Sequence, residues 1–240
     1  MATELDVAAE AAKAVQEVAK AAGGTVEAGR AVGRYLGTML AGSVEQIVGI
    51  WEDKLKYRRW ESQVKLLQKA EQMRVDAGMH GKPIPLPLKL AVPLLEGASI
   101  EDDDSLLDRW AALLVNSTSS ENKVDLQTVY IDILSGLSPL EAKILDAVYS
   151  LPFEATQHGG IFAGPLPGRA IAIPEKTESS TYDEMGDPDT PVKIALSSLS
   201  RSGCLRLGMT WRGGESFSRV NPTVLGRAFV EACRSPTRAN

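Results

Sequence analysis

Few residues of this 240-residue chain have the types and spacing that catalysis or metal binding requires. His80 and His158 have no catalytic partner nearby in the sequence, and Cys204 and Cys233 lack the C-x-x-C spacing of a zinc or redox site. The acidic run 102–104 is typical of a solvated helix start rather than of a cation site. Neither a phosphate-binding loop nor a nucleophile elbow is present. We therefore expect no catalytic residue, no metal and no cofactor, and a protein that is not an enzyme but acts through binding surfaces.

The first candidate surface is a ladder of small residues near the N-terminus, which we call the glycine ladder: Gly29, Gly33, Gly37 and Ala41. Residues four apart share one face of a helix, and glycines let a second helix approach closely. Each glycine costs an exposed helix about 1 kcal/mol relative to alanine, so close packing should offset that cost. The ladder predicts oligomerisation or membrane insertion, although a contact inside a soluble bundle and a loose N-terminal region stay open as alternatives.

Aromatic and basic residues alternate directly after the ladder, a pattern that suits a membrane–water interface. They are Trp51, Lys54, Lys56, Tyr57, Arg58, Arg59 and Trp60. The preceding uncharged run, from Tyr35 to Val44, is much shorter than the roughly 20 apolar residues that span a bilayer. The sequence therefore argues against a constitutive transmembrane helix and leaves conditional insertion as a hypothesis.

The second candidate surface is the basic C-terminal end. A helix over 190–202, strands over 204–211 and 216–220, and a closing helix capped by Asn221 and Pro222 predict a winged helix, together with a helix over 138–150. Its basic residues are Lys193, Arg201, Arg206, Arg212 and Arg219. Winged helices bind DNA or proteins. The acidic residues between 175 and 189 would repel phosphate, so the pattern favours protein recognition over nucleic acid.

The charge distribution also separates two regions with different partners. The net charge is −5 overall, but residues 190–240 carry +6 and residues 1–189 carry −11. The N-terminus lacks the basic-then-apolar order of a secretory signal. We expect a cytoplasmic protein that moves to the inner membrane on activation.

These surfaces must be positioned by a mainly α architecture. Helical periodicity and punctuation by glycine and proline predict N-terminal long helices with the glycine ladder over 1–80 and a helical bundle over 81–137. A winged-helix-like α+β domain follows over 138–240, with an irregular acidic insertion over 152–189 that holds one short strand near 170–173. Within the bundle, Ser99 followed by Asp102 resembles the capping box of a helix.

With these segments placed, the chain resembles the abortive-infection alpha family, bacterial proteins associated with defence against phage. The resemblance is carried by Ile50–Glu61 (IWEDKLKYRRWE), Pro85–Asn116 (PLPLKLAVPLLEGASIEDDDSLLDRWAALLVN), Ile133–Tyr149 (ILSGLSPLEAKILDAVY) and Asn221–Cys233 (NPTVLGRAFVEAC). It implies a role in halting or killing an infected cell, and it brings no catalytic residues to carry over.

The leading hypothesis is an antiphage protein that recognises a phage or host protein and then forms a homo-oligomer through its N-terminal segment, with conditional insertion into the membrane. Two alternatives remain. One is a winged-helix DNA-binding regulator of a neighbouring defence gene, and the other is a structural partner in a multi-protein defence system.

Overall fold

The computed structural model describes residues 58–120, 124–174, 185–210 and 212–237. The chain is mainly helical, as predicted, with a small antiparallel sheet in its C-terminal part. It divides into two compact units, which we call the helical unit (1–135 and 232–240) and the mixed unit (136–231). The glycine ladder and residues 51–57 of the aromatic–basic segment lie outside the described residues, whereas Arg58–Trp60 form the first turn of helix α1.

The helical unit is built from four described helices. They are α1 (Arg58–Asp76), α2 (Leu88–Ser99), α3 (Asp104–Thr118) and α4 (Thr128–Ser135). Helix α1 packs against α2 and α3, and α2 packs against α4. The apolar faces of these helices meet in a common core. Its most deeply buried side chains include Leu66, Leu67, Leu94, Leu95, Trp110, Leu113 and Leu114. Burial of these stripes is the main stabilising contribution to helices that would be marginal alone.

The start of α3 corrects the predicted capping box. Ser99 is the last residue of α2, and its hydroxyl donates to the Glu96 carbonyl rather than capping a following helix. Asp103 is the cap of α3, because its carboxylate accepts hydrogen bonds from the N–H groups of Ser105 at 2.9 Å and Leu106 at 3.0 Å. The acidic run is therefore a helix start, and its cap, Asp103, lies four residues after Ser99, the cap that the Ser99–Asp102 pattern predicted.

The described residues of the mixed unit form four helices of four or more residues and a four-stranded sheet. The helices are α5 (Pro139–Tyr149), α6 (Phe153–Thr156), α7 (Thr190–Arg201) and α8 (Val224–Ala232), the last ending at the boundary of the unit. The strands are β1 (Ile161–Phe162), β2 (Ile171–Ala172), β3 (Leu205–Met209) and β4 (Glu215–Pro222). Their order in the sheet is β2-β1-β4-β3, and every neighbouring pair is antiparallel.

The segment 152–189 contains more regular structure than its composition suggested. The strand predicted near 170–173 is β2, but β1 was not predicted, and it is fully buried at the centre of the sheet. In β1, Ile161 pairs with Val220 of β4. Sequence patterns miss a two-residue strand that follows glycines, since it shows no alternation and forms through a partner about sixty residues away in the chain.

Helix boundaries in the mixed unit follow local capping chemistry. Ser138 and Glu141 form the predicted cap of α5 as a reciprocal capping box, and the Asp189 carboxylate caps α7 through the Val192 N–H. The predicted cap of the last helix is wrong, because Asn221 and Pro222 still belong to β4. Thr223 caps α8, and its hydroxyl accepts the Gly226 N–H at 2.9 Å.

Candidate functional site

A buried tyrosine joins the elements that carry the candidate site. Tyr149, the last residue of α5, donates its hydroxyl proton to the Cys204 carbonyl at 2.5 Å and accepts the Thr223 N–H at 3.0 Å. These bonds tie the end of α5 to the corner between α7 and β3 and to the start of α8. Burial raises the pKa of the Tyr149 hydroxyl, so the neutral donor is the form that this site stabilises.

The first turn of α8 lies against this hydroxyl without an intervening side chain. A methyl group at Gly226 would fall closer than 3.0 Å to both the Tyr149 hydroxyl and the Cys204 carbonyl oxygen. The next residue, Arg227, places its guanidinium 5.5 Å from the centre of the Tyr149 ring and 5.8 Å from that of Phe153. The network thus fixes α5 and the end of α7 relative to each other, and glycine is required where α8 meets it.

Helix α7 has one buried and one open face. Its buried face consists of Val192, Ala195, Leu196 and Leu199. On its outer face Ile194, Ser197 and Arg201 follow one another at spacings of three and four residues, so they share one stripe of the helix. Ile194 is 65% exposed, on the side of the helix opposite its buried face.

The open face of α7 forms one wall of a cleft of about 690 Å³. Helix α7 packs against α5 within the mixed unit, and the cleft lies where the outer face of α7 meets the first turn of α5. Its apolar lining comes from Leu140 of α5 and from Pro191, Ile194 and Ala195 of α7. We call this feature the α5–α7 cleft.

Two charged residues line the α5–α7 cleft, and they differ in their exposure to solvent and in their bonding partners. Glu141 is only 6% exposed, and its carboxylate accepts the Ser138 N–H at 2.6 Å in the capping box. Arg201, in the last turn of α7, is exposed and forms no salt bridge with any residue that the structure describes. The charge that the cleft presents to solvent is therefore the guanidinium of Arg201.

Lys193, the other basic residue predicted on α7, is neutralised. Its ammonium group lies 2.8 Å from a carboxylate oxygen of Asp187 and 5.8 Å from the centre of the Phe217 ring. Part of the acidic segment before α7 thus binds this helix directly. The sequence predicted that the segment would weaken a phosphate-binding surface, and in this surface salt bridge the Asp187 carboxylate competes with phosphate for Lys193.

The remaining three predicted arginines lie on the sheet and its turn. Arg206 in β3 is opposite Asn221 in β4, while the neighbouring pair Leu207 and Val220 occupies the other face of the sheet. Arg219 of β4 lies opposite Phe162 of β1, next to an irregularity in the pairing of β4 with β3. Arg212 is exposed in the turn between β3 and β4, and none of these three arginines forms a salt bridge within the described part of the chain.

The five basic residues of the predicted surface therefore lie in different surroundings: the cleft, a salt bridge, the sheet and its turn. Of the five basic residues, Arg201 alone lines the α5–α7 cleft. Sequence reasoning missed Ile194 and Leu140, the apolar residues of the cleft. The exposed position of Ile194 could have been found from the helical phase of Val192, Leu196 and Leu199, which places Ile194 off the buried face.

Metal-ligand clusters and membrane-spanning helices are both absent from the described residues. In the ranges given above, no group of three or more His, Cys, Asp or Glu side chains is arranged to hold a metal ion. Among the helices of those same ranges, none has both the length and the apolar character needed to cross a membrane.

Comparisons with known proteins give one match. The family model described as abortive infection alpha matches residues 61–233, a range that runs from the fourth residue of α1 to just past the end of α8. No curated protein and no solved structure matches the chain significantly.

Proposed function

Since the chain belongs to the abortive infection alpha family, we propose that it acts in abortive infection by recognising a phage or host protein through its mixed unit and then oligomerising. The observation that carries the recognition step is the α5–α7 cleft, where Ile194 and Arg201 stand open on a helix whose other face is fully packed. Arginine is enriched in protein–protein interfaces, and covering an exposed apolar side chain on binding is favourable. The proposal assigns the protein no catalytic step.

The glycine ladder supplies the oligomerisation step of this proposal. The contact between copies of the chain would be formed by Gly29, Gly33 and Gly37. The protein would stay in the cytoplasm until recognition occurs. Insertion of this segment at the inner membrane is the further part of the proposal, supported by the aromatic and basic residues from Trp51 to Trp60.

Infection of cells that produce the protein tests both steps. At a high ratio of phage to cells, we expect growth arrest before phage release, together with a shift of the protein to a larger cross-linked species. Replacing Gly33 and Gly37 with leucine should abolish the shift and the arrest together. Arrest that persists with the monomeric double variant would overturn the oligomerisation step.

Membrane insertion has its own readout. Recording membrane potential in the same infected cells should show depolarisation at the time of arrest. Arrest at an unchanged potential would refute insertion and leave recognition and oligomerisation intact. Dye leakage from liposomes exposed to protein plus infected-cell extract repeats the test outside the cell.

A second candidate function is DNA binding by a winged helix. It is favoured by helix α7 followed directly by the β3–β4 hairpin, and by Arg212 and Arg219, which form no salt bridge among the described residues. This function predicts duplex binding that weakens with salt and is lost when both arginines are replaced by glutamate. Absence of duplex binding at low salt would eliminate it.

A further inference from the structure

The α5–α7 cleft has features that restrict what can bind there. Its walls are apolar at Leu140, Pro191 and Ile194, and it is open along the outer face of α7. The volume of about 690 Å³ is sufficient for two or three side chains of a peptide segment. An apolar partner side chain that covered Ile194 would remove from water the most exposed large apolar group of this helix.

The charges of the cleft select an acidic partner. The Glu141 carboxylate is engaged in the capping box, whereas the Arg201 guanidinium is exposed and unpaired among the described residues. A guanidinium binds a carboxylate through two parallel hydrogen bonds. This ion pair becomes stronger when neighbouring apolar groups exclude water from it. A basic peptide would lack this contact and would meet Arg201 with like charge.

A nucleic acid fits the same cleft less well. Phosphate binding gains affinity from several cations along the backbone, but Arg201 is the one exposed cation of the cleft lining, and Lys193 is paired with Asp187. Three serines, Ser138, Ser197 and Ser198, also line the cleft, but their hydroxyls add no positive charge for a phosphate backbone, and the apolar side chains add no contact to it. The observations therefore favour a peptide.

We propose that the α5–α7 cleft binds an acidic peptide segment of a partner protein, with an apolar side chain against Ile194 and Leu140 and an adjacent Asp or Glu carboxylate on Arg201. This inference rests on the proposed recognition role of the mixed unit and names the chemistry of its partner. The bound segment needs one apolar and one acidic residue close together, and neither residue has to be chemically modified.

Selection from a random library of displayed twelve-residue peptides tests the inference on the purified full chain. We expect the enriched peptides to combine Leu, Ile, Met or Phe with Asp or Glu. Measured individually by fluorescence anisotropy, these peptides should bind Arg201→Glu and Ile194→Asp at least about tenfold more weakly than the unchanged protein. Matched exposed positions outside the cleft lining provide the controls, Arg169→Glu and Val224→Asp, which should bind as the unchanged protein does.

Charge reversal sharpens the outcome. On Arg201→Glu the same selection should enrich peptides with Lys or Arg in place of Asp or Glu. Enrichment of basic peptides on the unchanged protein, identical enrichment on both proteins, no enrichment at all, or preferential binding of a duplex DNA probe would each overturn the inference. Because the selection involves no infection, it can fail while growth arrest persists, and the reverse result is equally distinguishable.

Discussion

Alanine at position 226 tests whether the Tyr149 network holds the mixed unit together. Gly226 lies in the first turn of α8, where an added methyl group would fall closer than 3.0 Å to the Tyr149 hydroxyl and the Cys204 carbonyl oxygen. The carbonyl belongs to the backbone at the start of β3, so it cannot move aside as the end of a flexible side chain could. Either α8 shifts away or the tyrosine hydroxyl loses its acceptor.

The expected magnitude follows from opposing contributions. In an unobstructed helix, Gly226→Ala would stabilise the protein by about 1 kcal/mol. Overpacking costs about 1–3 kcal/mol, and a buried hydroxyl or carbonyl left without its hydrogen bond costs about 1–3 kcal/mol more. We therefore expect the free energy of unfolding to fall by about 1–5 kcal/mol, with the steric cost outweighing the helix propensity.

Urea unfolding followed by far-ultraviolet circular dichroism measures this change, and hydrogen exchange shows whether the loss of protection is confined to the mixed unit. Gly168→Ala is the matched control, since its nearest neighbour would be the Pro165 carbonyl at 3.4 Å, an ordinary contact. In the double variant Tyr149→Phe, Gly226→Ala the destabilisation should be less than the sum of the single effects. A Gly226→Ala protein as stable as the unchanged chain would refute this reasoning.

Three further predictions concern contacts within each unit. Asn116→Ala removes two hydrogen bonds, at 2.9 Å to the Ala232 carbonyl and 2.8 Å to the Arg234 carbonyl, so hydrogen exchange near the C-terminus should rise; unchanged exchange would contradict the assigned role. The pKa of Tyr149 is higher in the folded state than in the unfolded chain. The contribution of Tyr149 to the free energy of unfolding should therefore be complete below pH about 10, the ordinary tyrosine pKa, and should disappear as pH rises through the folded-state pKa. Subtracting the urea-unfolding profile of Tyr149→Phe across alkaline pH should reveal this loss, and parallel profiles would disprove it. Burial also raises the pKa of the Cys204 thiol, so iodoacetamide at neutral pH should modify it only after unfolding, and rapid labelling of the native chain by mass spectrometry would argue against burial.

Local signals were sufficient to predict most helices of the described chain. Ser138 followed by Pro139 marks the start of α5, and Thr190 followed by Pro191 marks that of α7, because capping and proline geometry act within one helical turn. Thr190 itself is the first helical residue of α7, however, and the cap is Asp189. The β3–β4 hairpin was predicted from its turn for the same reason. Strand β1 was not, since its two residues gain their hydrogen bonds from β4, far away in the chain.

The candidate site was predictable only in part. Arg201 was selected from its charge, but its separation from Arg206 and Arg219 depends on packing between α5 and α7 and on the register of the sheet. The pairing of Lys193 with Asp187 likewise requires the fold of the segment that precedes α7. The exposure of Ile194 was predictable from the helical phase of Val192, Leu196 and Leu199, but the cleft that Ile194 lines with Leu140 depends on how α7 packs against α5.

Phage release from infected cells measures the central claim most directly, namely that recognition through the α5–α7 cleft drives abortive infection. Cells producing the unchanged protein or Arg169→Glu should release few phage, whereas cells producing equal soluble amounts of Arg201→Glu or Ile194→Asp should release as many as cells without the protein. Full protection by both cleft variants would contradict the account.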